Sequence, residues 1–214
     1  MTQENSPEQE EESTEEKFAS AYEGASITSI SYDELPEEAA KEFEARSRSF
    51  ILDEEYVSRN FSRLYLLTHP SGSETYIAEQ TKTIGDADNN HTEELVYLLD
   101  FVDGKPAGFG ELRHNISNPS EYYKGKPYVG YTQTYSQDDK GVDQDYRKKG
   151  FGFRRLAEMD AYARARFSAP LHSSSSRSPE AERVWERLVE EGRAEAYLES
   201  KTNKNKESIR YRMK

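Results

Sequence analysis

Val142-Asp143-Gln144-Asp145-Tyr146-Arg147-Lys148-Lys149-Gly150-Phe151-Gly152 is the stretch whose reading decides the fold. It follows a strand candidate and runs directly into Phe153, Leu156, Met159 and Ala163, which recur at the spacing of an amphipathic helix ending near Phe167. The two glycines let the backbone come close to an anion. The start of a helix leaves several N–H groups without partners, and its dipole adds positive potential there. Arg147, Lys148 and Lys149 contribute formal positive charge, so a pyrophosphate fits such a place. Arg-x-x-Gly-x-Gly by itself also suits a surface turn whose glycines only admit the helix. The glycine-lysine-hydroxyl ending of a P-loop and the Gly-x-Gly-x-x-Gly dinucleotide fingerprint are both missing.

Upstream, Leu95 to Val102 and Pro106 to Arg113 are strand-like runs joined by Asp103-Gly104, a hairpin signal. Tyr128 to Tyr135, rich in aromatic residues and threonine, predicts another strand. Ile27 to Tyr32 alternates as a half-buried strand, and Pro36 to Phe50 has helical spacing. Within Glu55 to Ile84, Phe61 to Thr68 and Tyr76 to Ile84 flank a turn, and either a hairpin or a helix followed by a strand is open. Downstream, Pro170 to Ser174 reads as a short buried strand. Ser178 then caps a helix with Pro179 at its first position and Gly192 closing it. Ala194 to Leu198 and Ser208 to Met213 predict a closing antiparallel pair.

The chain has 214 residues, 34% hydrophobic content and a formal net charge of −12, which suits one domain over 25–214 and disfavours a nucleic-acid partner. Met1 to Lys17 carries seven glutamates and one lysine, and 1–24 is expected to be a disordered acidic tail, with disorder to about Ala19. The absence of cysteine excludes disulfides, thiolate metal sites and a cysteine nucleophile. His69, His91, His114 and His172 lack paired spacing, and no metal is expected. A serine hydrolase is disfavoured, since no Gly-x-Ser-x-Gly elbow surrounds the serines at 173–176. No signal peptide or membrane span is predicted, which leaves a cytoplasmic protein as the expectation.

Together, Val142 to Gly152, the helix after it, the short strand at Leu171 and the helix ending at Gly192 resemble the GNAT acetyltransferase superfamily over roughly the second half of the chain. The hairpin Leu95 to Arg113, with Gly104, Gly108 and Phe109, resembles the central hairpin of that family. The resemblance implies an α/β GNAT-like acyl-CoA N-acyltransferase fold, a mixed, mostly antiparallel twisted sheet with helices on both faces. It implies acetyl-CoA as co-substrate, with backbone amides of Lys148, Lys149, Gly150, Phe151, Gly152 and Phe153 on the pyrophosphate and Arg147 anchoring the loop. The strand at Tyr128 to Tyr135 would splay from the Leu171 strand to admit the pantetheine arm. The acceptor would be a primary amine on a small molecule, protein or peptide, and a homodimer is allowed.

Acyl transfer to an amine needs the amine neutral, a polarised thioester carbonyl and an acid for the departing thiolate. Many members of the family place a tyrosine on the last helix as that acid. Trp185 stands at the matching position and has no dissociable phenol. Tyr197 is the substitute taken here, with Tyr162 or a water as alternatives. Glu111 is the candidate base, beside Asp138, Asp139 and His172. Two rivals remain: a non-catalytic module that binds CoA or a macromolecular partner, and a nucleic-acid modifier using the basic stretches Tyr146 to Arg155 and Lys201 to Lys214.

Overall fold

Strands β1 (Ser26–Ser29), β2 (Arg63–Thr68), β3 (Glu74–Ile84), β4 (His91–Val102), β5 (Lys105–Asn115) and β6 (Pro127–Thr134) lie side by side in chain order, each antiparallel to the next. The computed structural model describes residues 13–47, 61–84, 91–116, 125–136, 145–200 and 207–214. The β4–β5 hairpin turns through Asp103 at φ 51° and Gly104 at φ 72°, the left-handed pair that matches strand twist. The open segment before it is a hairpin too: β2 and β3 pair from Arg63↔Glu79 to Thr68↔Glu74 around a turn closed by Gly72 N–H to His69 O, 2.9 Å.

A second pair, β7 (Ala194–Ser200) and β8 (Glu207–Met213), joins the main sheet through Leu171–Ser173. There His172 bridges parallel to Tyr128 and antiparallel to Arg212. The amide of His172 donates to Pro127 O and that of Val129 to His172 O, each 2.9 Å, while Met213 and Ser173 amides complete the other side at 3.0 and 2.9 Å. The expected strand at Pro170 to Ser174 is thus a three-residue link between β6 and β8.

Helices cover both faces of this mostly antiparallel sheet. On one lie α1 (Thr14–Ala21), α3 (Phe151–Phe167) and α4 (Pro179–Glu190), whose Phe18, Leu156, Met159, Trp185 and Leu188 join Ile77, Leu98, Leu112 and Val129 in a core. On the other lies α2 (Glu37–Ser47), whose Ala39 and Phe43 meet Tyr76, Tyr97, Leu99 and Phe109. The alternation along β4 and β5 supplies both sets. Among the described residues no helix is long and apolar enough to cross a membrane.

The expected disordered tail over 1–24 is corrected at α1. Ser13 and Glu16 form a capping box, and Phe18 is completely buried with its ring centroid 6.3 Å from that of Tyr162 on α3. The buried Phe18 ring, partly buried Tyr22 and the helix cap together oppose the ordering entropy of this acidic stretch. Residues 1–12 lie outside the described residues. The strand expected to reach Tyr32 stops at Ser29, because Ser31 and Glu34 cap a single 3₁₀ turn at Tyr32–Glu34. The expected helix to Phe50 is described to Ser47.

Candidate functional site

The loop before α3 is tied down from within. Asp145 accepts from the Arg147 amide at 2.8 Å and from its guanidinium Nη2 at 2.7 Å and Nε at 3.0 Å, and these bonds hold the Asp145 carboxyl down at about 2. Tyr146 is buried edge-on to Phe151, ring centroids 5.8 Å apart. Lys148 and Gly150 both take positive φ, 61° and 88°, and Gly150 is an N-cap with no side chain to satisfy the first turn of α3. Those N–H groups have no intrahelical acceptors, and no acidic side chain sits in that turn to oppose a bound anion. A Cβ built on Gly152 would meet only Thr134 Oγ1, at 3.8 Å, so the backbone there faces open space.

Gly152 stands at one end of a cleft of about 180 Å³. One wall is β6 from Val129 to Thr132, the other is Ser174 and Ser176–Ser178, and Leu156, Ala181, Val184 and Trp185 form an apolar floor. The cleft exists because β6 and Leu171–Ser173 pair through only two hydrogen bonds and then diverge. A bulge adds to this: Glu111 pairs with Tyr131 and Leu112 with Val129, which leaves Gly130 unpaired. Arg177 fixes the opposite wall, with Nη1 2.5 Å from Ser174 O and 3.1 Å from Ser173 Oγ, Nη2 2.9 Å from Ile209 O and Nε 2.5 Å from Glu182.

A larger hollow of about 350 Å³ lies at the same helix start, between Ser71–Ser73, Val102, Asp103 and Arg154, and it takes Lys149, Gly150 and Phe151 of the expected loop, whereas Gly152 lines the smaller cleft. Its arginine donates to Ser73 Oγ at 2.7 Å and lies with Nε 3.2 Å from Glu158, and a carboxylate of Asp103 shares the rim. The smaller cleft, with the uncapped turn at its mouth, is the better anion-ended slot. Arg187 and Arg193 lie over the ring of Phe153 at 5.4 and 4.3 Å, which adds cations beside that turn.

The expected loop residues Arg147, Lys148, Lys149, Gly150, Phe151, Gly152 and Phe153 therefore sit together at the start of α3, with Arg147 turned onto Asp145. The expected catalytic residues sit on the opposite face of the sheet from the cleft floor. By register Glu111, Tyr131, Tyr128, His172 and Tyr197 share that face. Glu111 accepts from Arg113 Nε at 2.5 Å and lies directly behind Gly130, whose added Cβ would stand 2.4 Å from its carboxylate. Tyr197 OH is 2.8 Å from His172 Nδ1. Burial, then the charges of Lys126 and Arg212, lower the His172 pKa to about 4, so the ring is neutral at pH 7. Tyr162 is removed from the acid candidates: its hydroxyl is bonded to Glu79 in the core beneath α3, and burial raises its pKa further. Asp138 and Asp139 lie outside the described residues.

Trp185 both lines the cleft and stacks on Tyr211, ring centroids 5.8 Å apart. Thr132, Gly130 and Arg177 escape a linear reading. The only signals for them are a lone glycine inside a strand pattern, which marks bulges, and the arginine ending the serine run. No family model, curated protein or solved structure matches the chain.

Proposed function

We propose that the protein is an acyl-CoA-dependent N-acyltransferase with a GNAT-like fold, transferring an acyl group, in the simplest case acetyl, to a primary amine. The observation that carries this reading is the short parallel pairing of β6 with Leu171–Ser173. Its divergence leaves a slot that ends at the uncapped helix start of α3. A chain bearing amides and ending in a pyrophosphate suits such a slot, with strand edges along it and N–H groups at its mouth. The tied loop, the bulge at Gly130 and the order β6, Leu171–Ser173, β8, β7 further support it.

Acetyl-CoA supplies the acyl group as a thioester. The amine approaches from the face holding Glu111, His172 and Tyr197, opposite the apolar floor. Glu111, fixed by Arg113, takes the amine proton, and Tyr197, held by neutral His172, donates a proton to the leaving sulfur. The direct test follows thiol release from acetyl-CoA over a panel of polyamines, amino sugars and lysine peptides, with Glu111→Gln and Tyr197→Phe alongside. Acceptor-dependent release that each variant cuts at least tenfold is expected. One specific feature favours a second reading, a CoA-binding module without turnover: the resemblance sets Trp185, which lines the cleft, where many members of the family have a catalytic tyrosine. Tight acetyl-CoA binding with no acceptor-dependent release would establish that alternative.

A further inference from the structure

Arg155, in the second turn of α3, is completely buried, and β5 is shaped around it. A Cβ on Gly108 would stand 1.9 Å from Arg155 Nη2 and 2.8 Å from the Gln133 carbonyl oxygen, and one on Gly110 would stand 2.6 Å from Arg155 Cδ. Glycines weaken a strand, so these two make room for the arginine at some cost in stability. The guanidinium ends on two groups: Nη2 meets the buried carboxylate of Asp100, and Nη1 donates to Thr132 Oγ1 at 2.9 Å. Asp100 also accepts from Thr75 Oγ1 at 3.2 Å. A buried ion pair of this kind adds little net stability over apolar packing, so the arrangement asks for another account.

Thr132 gives one. A guanidinium only donates, so the threonine oxygen is the acceptor and its hydroxyl hydrogen remains to be placed. Among the described residues that hydrogen has no acceptor, and Thr132 stands in the β6 wall of the cleft. A hydroxyl whose oxygen is held by a cationic donor is itself a stronger donor. Thr132 lies two residues beyond the bulge at Gly130, between it and the helix start where Gly152 opens.

We infer that Thr132 is a binding residue that donates its hydroxyl hydrogen to an amide carbonyl of a pantetheine arm, with Arg155 as the positioning residue that orients it. The inference rests on the acyl-CoA reading and deepens it: the slot selects a chain that carries amides over a plain alkyl chain.

The test is calorimetric titration of acetyl-CoA, and separately of adenosine bisphosphate (the nucleotide half without the arm), into wild type, Thr132→Ser and Thr132→Val. Thr132→Val should weaken acetyl-CoA binding about tenfold, the loss of one strong hydrogen bond, and leave the nucleotide unaffected, while Thr132→Ser stays near wild type. Should the valine variant fail to fold, Thr132→Cys, a weak donor of similar shape, should show the same selective loss. Unchanged acetyl-CoA affinity, or an equal loss for both ligands, overturns the inference and leaves Thr132 a structural residue. A wild type that binds neither ligand overturns the acyl-CoA reading as well, and that control separates the two failures.

Discussion

The His172 Nδ1 lies 2.8 Å from the Tyr197 hydroxyl, with the rings perpendicular, at the point where β6 and β8 are joined. This pair is formed across 25 residues of sequence and sits on the face opposite the cleft floor. The folded His172 pKa is about 4 against an ordinary 6.5, so on acidification the unfolded chain takes the proton first. Stability present at neutral pH is therefore lost as pH falls from 6.5 toward 4, by roughly 1–2 kcal/mol after allowance for solvent screening. Proton NMR should find the His172 ring neutral at pH 5.5. A ring titrating near 6.5 would contradict the burial described.

Glu158 carries the opposite sign. It is completely buried, and burial followed by the Asp100 charge raises its pKa from an ordinary 4.5 to about 8, against the pull of Arg154 and Arg155. His69, lowered chiefly by burial, lies with Nε2 3.2 Å from Glu158 Oε1 and Nδ1 3.3 Å from Gly24 O. The protonated acid thus lies beside a neutral imidazole whose Nε2 is also 3.2 Å from Thr75 Oγ1. The folded state holds a proton that the unfolded state releases, so this residue's contribution falls as pH rises from about 5 to about 8. Glu158→Gln keeps a donor there without the linkage. Its melting temperature relative to wild type should climb across that window, and a difference independent of pH would refute the assignment.

Gly108→Ala tests the space reserved for Arg155. The new methyl has to displace a guanidinium already bound to Asp100 and also meets the backbone oxygen of Gln133 at 2.8 Å. Overpacking plus disturbance of the buried pair should cost about 2–4 kcal/mol in denaturant unfolding. A cost under about 0.5 kcal/mol, the usual range for a surface change, would mean the arginine is not confined as described.

Phe18→Ala separates α1 from an ornamental tail. Loss of a fully buried ring packed near Tyr162 and Tyr22 should destabilise the fold by about 3 kcal/mol, whereas a solvated acidic tail would register almost nothing.

Local chemistry was legible at the β4–β5 turn and at both ends of α4. Asp103-Gly104 specifies the β4–β5 turn, and Ser178, Pro179 and Gly192 bracket α4, with the Ser178 hydroxyl accepting from the Ala181 amide at 3.2 Å and Gly192 at φ 73°. The Ser13–Glu16 capping box was equally local, but the reason the helix persists is not: Phe18 needs Tyr162, which lies far along the chain. The same holds at the site. The glycines of the loop announce a helix start, while the cleft depends on where Leu171–Ser173 meets β6, and Thr132 gains meaning only through Arg155 and Asp100, which are 55 residues apart. Period-2 alternation cannot show which strand end will splay, because that is decided by how many hydrogen bonds the next segment makes.

The most direct measurement is calorimetric titration of acetyl-CoA into wild type and Gly152→Glu. A side chain at Gly152 meets only Thr134 Oγ1 at 3.8 Å, and a glutamate in the first turn of α3 favours the helix, so the variant should fold, as circular dichroism can verify. Its carboxylate would stand where the pyrophosphate is proposed to bind. Micromolar binding to wild type, weakened at least a hundredfold in the folded variant, is the result predicted. Equal binding to both proteins, or none to wild type, would contradict the acyl-CoA site at the start of α3.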